Sequence, residues 1–339
     1  MDVRARAAGG ARGGRGRQRG DALKANPTSR AYTRLYGNIS GLLLPNEPLS
    51  RYTTLRVGGP AKLLVVADTL HDLSLTLDVC ASEGVAWSII GKGSNILVSD
   101  EGFDGVMIQL GADFRKIKRV PDGLQAGGGV ALPVLVQAAV REELRGLAFA
   151  VGIPGTIGGA IAGNAGAYGS AVGDLIGSVT LYGPYGKLRH CNRSELRFGY
   201  RSSSTGTDDI IVEALFQLHP GDPAEIRGEM ERHFKKRKTT QPTGFPSAGS
   251  VFKNPDRPAG LLIEQAGLKG ASIGDARVSE RHANFIINTG NARAEEIFSL
   301  IRMVRQRVEE VHGVQLEPEI RMIGSFETDR SDVGTSFSG

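Results

Sequence analysis

An α+β fold is predicted for this 339-residue chain, and three features of its pattern predict it. A small β-α-β-β unit comes first. Short apolar runs at hairpin-like spacing follow, which disfavours a second doubly wound unit. Capped amphipathic helices and a sharply alternating strand come last.

The order begins with a basic tail. Residues 1–38 hold nine Lys/Arg and two acids, a charge of +7, whereas the other 32 Lys/Arg and 34 Asp/Glu give −2. The excess behind the overall +5 therefore belongs to the tail, and the rest gives no charge argument for a nucleic-acid partner. The run MDVRARAAGGARGGRGRQRG is nearly free of apolar residues and reads as disordered. It lacks the amphipathic face of a transit peptide, the aromatics that stack on bases, and the apolar stretch of a secretory signal.

Residues 39–118 form the first unit: a buried strand Ala61–Asp68, a helix Thr69–Gly84 between an N-cap threonine and a stopping glycine, and strands Ala86–Ile90 and Gly105–Leu110. Residues 119–218 form the second, with Gly127–Gly129, a helix Leu132–Glu143, and strands near Ser178–Tyr182, Lys187–Cys191 and Ile210–Leu218. Residues 222–324 form the third. There Asp222 caps a helix with Pro223 at N1 and Glu225 at the capping-box position, and Ile226, Met230 and Phe234 form its buried stripe. A later helix, Asn291–His312, buries Ile297, Ile301, Val304, Val308 and Val311 and stops at Gly313; a strand Val314–Ile323 follows. Residues 325–339 are a C-terminal tail. Cys80 continues the apolar face of the first helix, and it and Cys191 have no CxxC spacing, so neither disulfide nor zinc is expected. A cytoplasmic protein fits.

Gly146–Gly173 holds 28 residues without a charge, long enough for a membrane span. Its nine glycines and Pro154 oppose that, since each glycine costs a helix about 1 kcal/mol and proline about 3. Glycines can instead point consecutive N–H groups at a phosphate, without cationic side chains. Gly91-Lys92-Gly93-Ser94-Asn95 follows a strand as a dinucleotide fingerprint does, but Ile96 replaces the third glycine, and alone the turn is equally a tight bend. Together the two stretches suggest one extended cofactor held between two units. Ser250-Val251-Phe252-Lys253 matches S-x-x-K without its partner motifs and is discounted as a signature, though Ser250 stays of interest. Glu309-x-x-His312 occurs once, and the other histidines have no metal spacing, so no metal is expected. Lys235–Lys238 is explained first by the helix dipole and second by phosphate contacts. In the last strand Leu316, Ile320 and Met322 share one face and Glu317, Glu319 and Arg321 the other, and Pro318 confines it to an edge or bulge.

Seven segments in order then become specific: YTTLRVGGPA (52–61), GKGSNIL (91–97), GIPGTIGGAIAGNAGAYG (152–169), FGYR (198–201), AGSVFKNP (248–255), HANFIIN (282–288) and LEPEIR (316–321). Over residues 49–324 the chain resembles the UDP-N-acetylenolpyruvoylglucosamine reductase family. The resemblance implies a two-subdomain FAD-binding fold of the PCMH/vanillyl-alcohol-oxidase type, followed by an α/β substrate-binding domain. It also implies NADPH-dependent reduction of UDP-N-acetylglucosamine enolpyruvate to UDP-N-acetylmuramate for peptidoglycan synthesis, in the cytoplasm.

Carried over by motif, the resemblance implies Arg201 as the cation that stabilises an enolate, Glu319 as the companion acid and Ser250 as the proton donor. It implies FAD contacts at Arg56, Gly91, Lys92, Gly93, Ser94, Asn95, Ile153, Pro154, Gly155, Thr156, Gly158, Gly159, Asn164 and Gly166. Substrate contacts fall to Tyr168, Tyr200, Asn254 and Arg321. The gap between Leu218 and Asp222 leaves no room for the tyrosine loop of the longer form of the family, so the chain resembles the shorter form. NADPH and the enolpyruvyl UDP sugar are the expected partners, without nucleic acid or membrane, and a monomer is expected. An oxidase of the same fold acting on a small alcohol or sugar is the rival reading, although neither glycine loop holds a His or Cys to tether flavin. An RNA-binding module built on the arginine tail is the rival of another class.

Overall fold

The computed structural model describes residues 26–183, 186–206 and 208–326. Its first unit is a four-stranded sheet of order β1-β2-β5-β3, made by β1 (Leu42–Pro48), β2 (Pro60–Ala67), β3 (Trp87–Ile89) and β5 (Phe103–Leu110). β1 runs antiparallel to β2, and β2, β5 and β3 are mutually parallel. Helix α1 (Pro27–Leu35) and helix α2 (Leu70–Glu83) pack together beside this sheet. Thr69 and Asp72 form a reciprocal capping box on α2, and Gly84 ends it with φ 64°. Asp72 is buried; desolvation opposes its charge, but Ser40, Gly41, Asp68 and Thr69 all donate to the carboxylate and hold its pKa low. Strand β4 (Ile96–Val98) leaves this sheet for a partner from the end of the chain.

The expectation of a disordered tail over residues 1–38 is corrected in part. Residues 1–25 lie outside the described residues, but α1 begins at Pro27 behind the N-cap Asn26. Ala31 and Leu35 are fully buried against α2 and the sheet, and Arg30 and Arg34 pair with Glu83. The basic residues hid a helix with two fully buried side chains and Tyr32 packed beside them.

The second unit is an antiparallel sheet with β12 (Leu188–Asn192), β11 (Ile176–Tyr182), β15 (Ile210–Gln217), β7 (Gly123–Gly127) and β6 (Ile117–Val120) in that order. Against it pack α3 (Leu132–Arg141) and the short α4 (Ile157–Ala162). Three small pairs decorate it: β8 (Leu144–Arg145) with β16 (His219–Pro220), β9 (Gly166–Ala167) with β10 (Ser170–Ala171), and β13 (Phe198–Gly199) with β14 (Ser202–Ser203). Gly146–Gly173 is thus neither a span nor wholly irregular. Leu147–Ala150 is core packing, and α4 and the β9–β10 hairpin occupy the rest.

Helix α5 (Pro223–Thr240) is capped by Asp222, whose carboxylate accepts from Ala224 and Glu225. It packs on the second unit, with Ile226 buried and Met230 against that core, so the expected boundary at residue 222 moves past the helix. Phe234 is exposed rather than part of the stripe. The third unit has an antiparallel sheet of β17 (Ser247–Ser250), β20 (Phe285–Asn288), β19 (Ala276–Val278) and β18 (Ser272–Ile273), with α6 (Ala259–Gln265) and α7 (Ala294–His312). The predicted stripe of α7 is buried except Val311, which is exposed.

The units interlock. Leu55, Val57 and Leu97 of the first lie in the core of the third, and Tyr182, Ile210 and Val212 of the second lie in the core of the first. Asp100 caps α7 from the first unit, accepting from Ala294 N at 2.8 Å and Glu295 N at 3.1 Å. The final strand β21 (Arg321–Ile323) runs parallel to β4, and only Phe252↔Pro318 pairs upstream of it, so the long strand Val314–Ile323 shrinks to its end.

Candidate active site

Two glycine-rich loops without acidic residues face each other. Residues 91–95 connect β3 to β4, and residues 151–156 enter α4. Gly93 has φ 57°, and a Cβ there would stand 2.1 Å from the Tyr52 carbonyl oxygen; only glycine fits. A Cβ on Gly91 would meet Thr156 Oγ1 at 2.5 Å, and Ser94 Oγ donates to the Pro154 carbonyl at 3.3 Å. Among the described residues no acceptor takes the N–H groups of Lys92, Gly93, Ser94, Asn95, Gly155 or Thr156. Unmet backbone donors on two close loops without acidic side chains fit a dinucleotide diphosphate.

Other expected cofactor contacts turn inward. Gly158 N donates to the Gly128 carbonyl at 2.8 Å, tying the start of α4 to the second sheet, and Gly159 N donates to the N-cap Thr156 Oγ1 at 3.3 Å. Asn164, buried with φ 42°, accepts from Gly173 N at 2.9 Å and donates to the Gly199 carbonyl at 2.8 Å. It ties the β9–β10 hairpin to the β13–β14 hairpin. Asn95 Nδ2 donates to the Glu319 carbonyl at 3.0 Å, so its side chain serves the last strand. Ile153 packs on the second core, Gly166 lends its carbonyl to Arg201, and Arg56 sits at φ 58° beside Leu55, whose carbonyl Asn288 holds at 3.0 Å.

Arg201 and Glu319 meet beside these loops. Tyr200 and Arg201 form the turn of the β13–β14 hairpin, with Arg201 at φ 53°. Its Nη1 donates to the Gly166 carbonyl at 3.1 Å, and its Nε stands 2.7 Å from Glu319 Oε1. That N–H is not well aligned on the carboxylate, so the contact is an ion pair. Burial raises the Glu319 pKa, against the lowering pull of Arg201 and Lys253. Four of the six non-glycine residues at positive φ among the described residues, Arg56, Asn164, Tyr168 and Arg201, belong to the predicted site. Strain of this kind gathers where geometry is over-determined.

Ser250 ends β17 after Gly249, which has φ 77°, and its hydroxyl has no partner among the described residues. Glu319 N donates to the carbonyl of the next residue, Val251, at 2.7 Å, which brings Ser250's strand beside Glu319. Tyr200 Oη accepts from Asn254 N at 3.1 Å, and Asn254 Oδ1 accepts from Ala259 N at the start of α6. A cleft of about 270 Å³ is lined by Tyr200, Lys253, Asn254, Pro255, Gln315 and Glu317. Arg321 is exposed, its N–H on the Asn95 carbonyl.

The remaining predicted contact, Tyr168, stacks on His233 at 4.2 Å, donates to the His233 carbonyl at 3.1 Å and lies under Lys236. Arg237 joins this region. Arg237 lies within the cluster first explained by the helix dipole, yet its Cδ is 3.0 Å from where a Cβ on Gly152 would stand. Burial lowers its pKa, with Tyr168 opposing and Arg201 adding to the effect, so two cations share one region. The tetrad Lys235–Lys238 was the available signal. Among the described residues no cluster can hold a metal, and no helix is long and apolar enough to cross a membrane.

Residues 61–192 match the model of an FAD binding domain, and residues 241–323 match that of the UDP-N-acetylenolpyruvoylglucosamine reductase C-terminal domain. UDP-N-acetylenolpyruvoylglucosamine reductase 2 of Symbiobacterium thermophilum is 44% identical over 280 residues, 82% of this chain and 91% of the relative. The reductase of Heliobacterium modesticaldum is 42% identical over 295 residues, 86% of this chain and 94% of the relative. The solved reductase of Thermus caldophilus superposes with a TM-score of 0.73 at 36% identity, covering 84% of this chain and 100% of that one.

Proposed function

The chain belongs to the UDP-N-acetylenolpyruvoylglucosamine reductase family, and from that premise we propose how its residues divide the work. It is an FAD- and NADPH-dependent oxidoreductase that reduces UDP-N-acetylglucosamine enolpyruvate to UDP-N-acetylmuramate, a step of peptidoglycan synthesis. The oxidase reading is set aside, because relatives above 40% identity are reductases.

Lys92–Asn95 and Gly155–Thr156 would hold the FAD diphosphate through backbone N–H groups. When bound there, FAD would supply the hydride chemistry that links NADPH to C3 of the enol ether. Negative charge then develops at C2 and across the substrate carboxylate, and Arg201, a fixed and half-buried cation, stabilises it. Glu319, kept protonated more readily by burial, donates to the same carboxylate. Ser250 delivers the proton to C2, completing the addition of hydride and proton across the double bond. Tyr200, Asn254, Arg321 and Tyr168 frame the sugar nucleotide, with Arg237 added. A monomer acting in the cytoplasm, where NADPH is supplied, is the form we propose for this chain.

The meeting of Arg201 and Glu319 at 2.7 Å, beside unmet backbone donors, carries this reading. The purified protein should show an oxidised-flavin spectrum, bleach with NADPH, and recover without oxygen when the enolpyruvyl UDP sugar is added. A colourless protein unable to take up FAD would overturn it.

A further inference from the structure

The HANFIIN segment carries a buried side chain without an assigned role. β17 and β20 pair at Ser247↔Ile287 and Ser250↔Phe285, with a register shift between them. Beyond Ser250 the ladder cannot continue in the ordinary way, because the chain before Phe285 turns back, with Phe285 N on the His282 carbonyl at 3.0 Å. Asn284 replaces the missing rung. Its Oδ1 accepts from Phe252 N at 2.9 Å, and its Nδ2 donates to the Phe252 carbonyl at 2.8 Å. A side-chain amide thus exchanges both bonds with one residue, as a directly opposite partner does in an antiparallel pair. The Asn284 carbonyl also accepts from Val251 N at 2.9 Å, and the residue is 3% exposed.

The far edge of the same segment holds the last strand. The Val251 carbonyl accepts from Glu319 N at 2.7 Å, Lys253 N donates to the Glu317 carbonyl at 2.9 Å, and Phe252 bridges to Pro318. Val251–Lys253 is therefore the middle strand between Asn284 and Glu319, and Ser250 is its upstream neighbour. We propose that Asn284 is a positioning residue that sets the placement of Ser250 and Glu319 together, by fixing the peptide that joins them. The inference rests on the functional reading above for the roles of those two residues.

Asn284→Asp tests it. The ionised side chain cannot donate to the Phe252 carbonyl, whereas the protonated acid restores both bonds. With flavin and NADPH bound as in the wild type, flavin reduction should keep its rate. Reoxidation by the enolpyruvyl UDP sugar should fall about 100-fold at neutral pH, the cost of roughly 1 Å of misplacement. That deficit against wild type should shrink as pH falls and the buried acid protonates. Asn284→Leu should show the same selective loss without pH recovery. If Asn284→Asp does not fold, the selective loss in Asn284→Leu carries the test. Equal loss in both half-reactions, or wild-type reoxidation in the folded variants, overturns the proposal.

Hydrogen-exchange mass spectrometry gives a readout apart from turnover. Peptides covering 250–254 and 317–321 should exchange faster in Asn284→Leu while those covering 152–169 do not; uniform or unchanged exchange overturns the coupling. A wild-type enzyme that ignores the enolpyruvyl sugar would sink the functional reading instead, and leave this exchange result standing.

Discussion

On the proposed function, the two glycine loops and the Arg201–Glu319–Ser250 group would recognise charge by opposite means. The loops carry Lys92 alone as a charged side chain and offer backbone N–H groups. The cluster uses an ion pair and a hydroxyl, delivered from a hairpin turn, the segment just before β21 and the end of edge strand β17. A diphosphate keeps its charge throughout, so fixed dipoles suffice for it. Charge that appears only during reaction needs groups whose placement and protonation are controlled. The loops should therefore fail through shape, and the cluster through chemistry.

Ser250→Ala tests the chemical side most severely. It should leave flavin reduction by NADPH intact and slow the enolpyruvyl half-reaction by about 10²–10⁴-fold; stopped-flow absorbance separates the two, and normal turnover would remove Ser250 from its role. Leu35→Ala, in the fully buried face of α1, touches neither region. It should lower stability by about 2–5 kcal/mol in denaturant melts while both half-reactions keep their ratio. Gly93→Ala tests the shape side, because its Cβ would strike the Tyr52 carbonyl. A loss of about 1–3 kcal/mol and a reduced flavin content at purification are expected; full flavin content would show that the loop tolerates a side chain.

The smallest effect concerns Glu319, whose pKa burial raises. Such an acid contributes stability in full below its unfolded pKa and loses it as pH rises through the folded value. Glu319→Gln has no such loss, so its stability relative to wild type should climb as pH rises from about 4. A pH-independent difference in melting temperature would mean that Glu319 does not titrate above its unfolded range.

Much of this was legible because the motifs are local. Gly93 needs φ 57°, Thr69 and Gly84 bound a helix, and Gly146–Gly173 lacks charge for a reason that composition alone exposes. The α+β class followed from short strands at hairpin spacing. What escaped depends on distant partners. Helix α1 has two buried residues in a basic surround, and β1 contains Pro45 and Pro48, so neither showed a clear period. Asn95, Asn164 and Asn284 present identical amides, and only the fold decides whether each faces a ligand or a backbone. Arg237 was hidden among three lysines that a helix end would attract anyway.

The pairing of β21 with β4 has a consequence for how the protein is made. Asn95 and Glu319, joined directly, are 224 residues apart in sequence. During vectorial synthesis the ribosome must release nearly the whole described chain before the β4 edge finds its neighbour. Until then that edge is an open template for other strands. Long-range closure of this kind is slow, so the β4 edge waits for the last-made part of the described chain before its ladder can form.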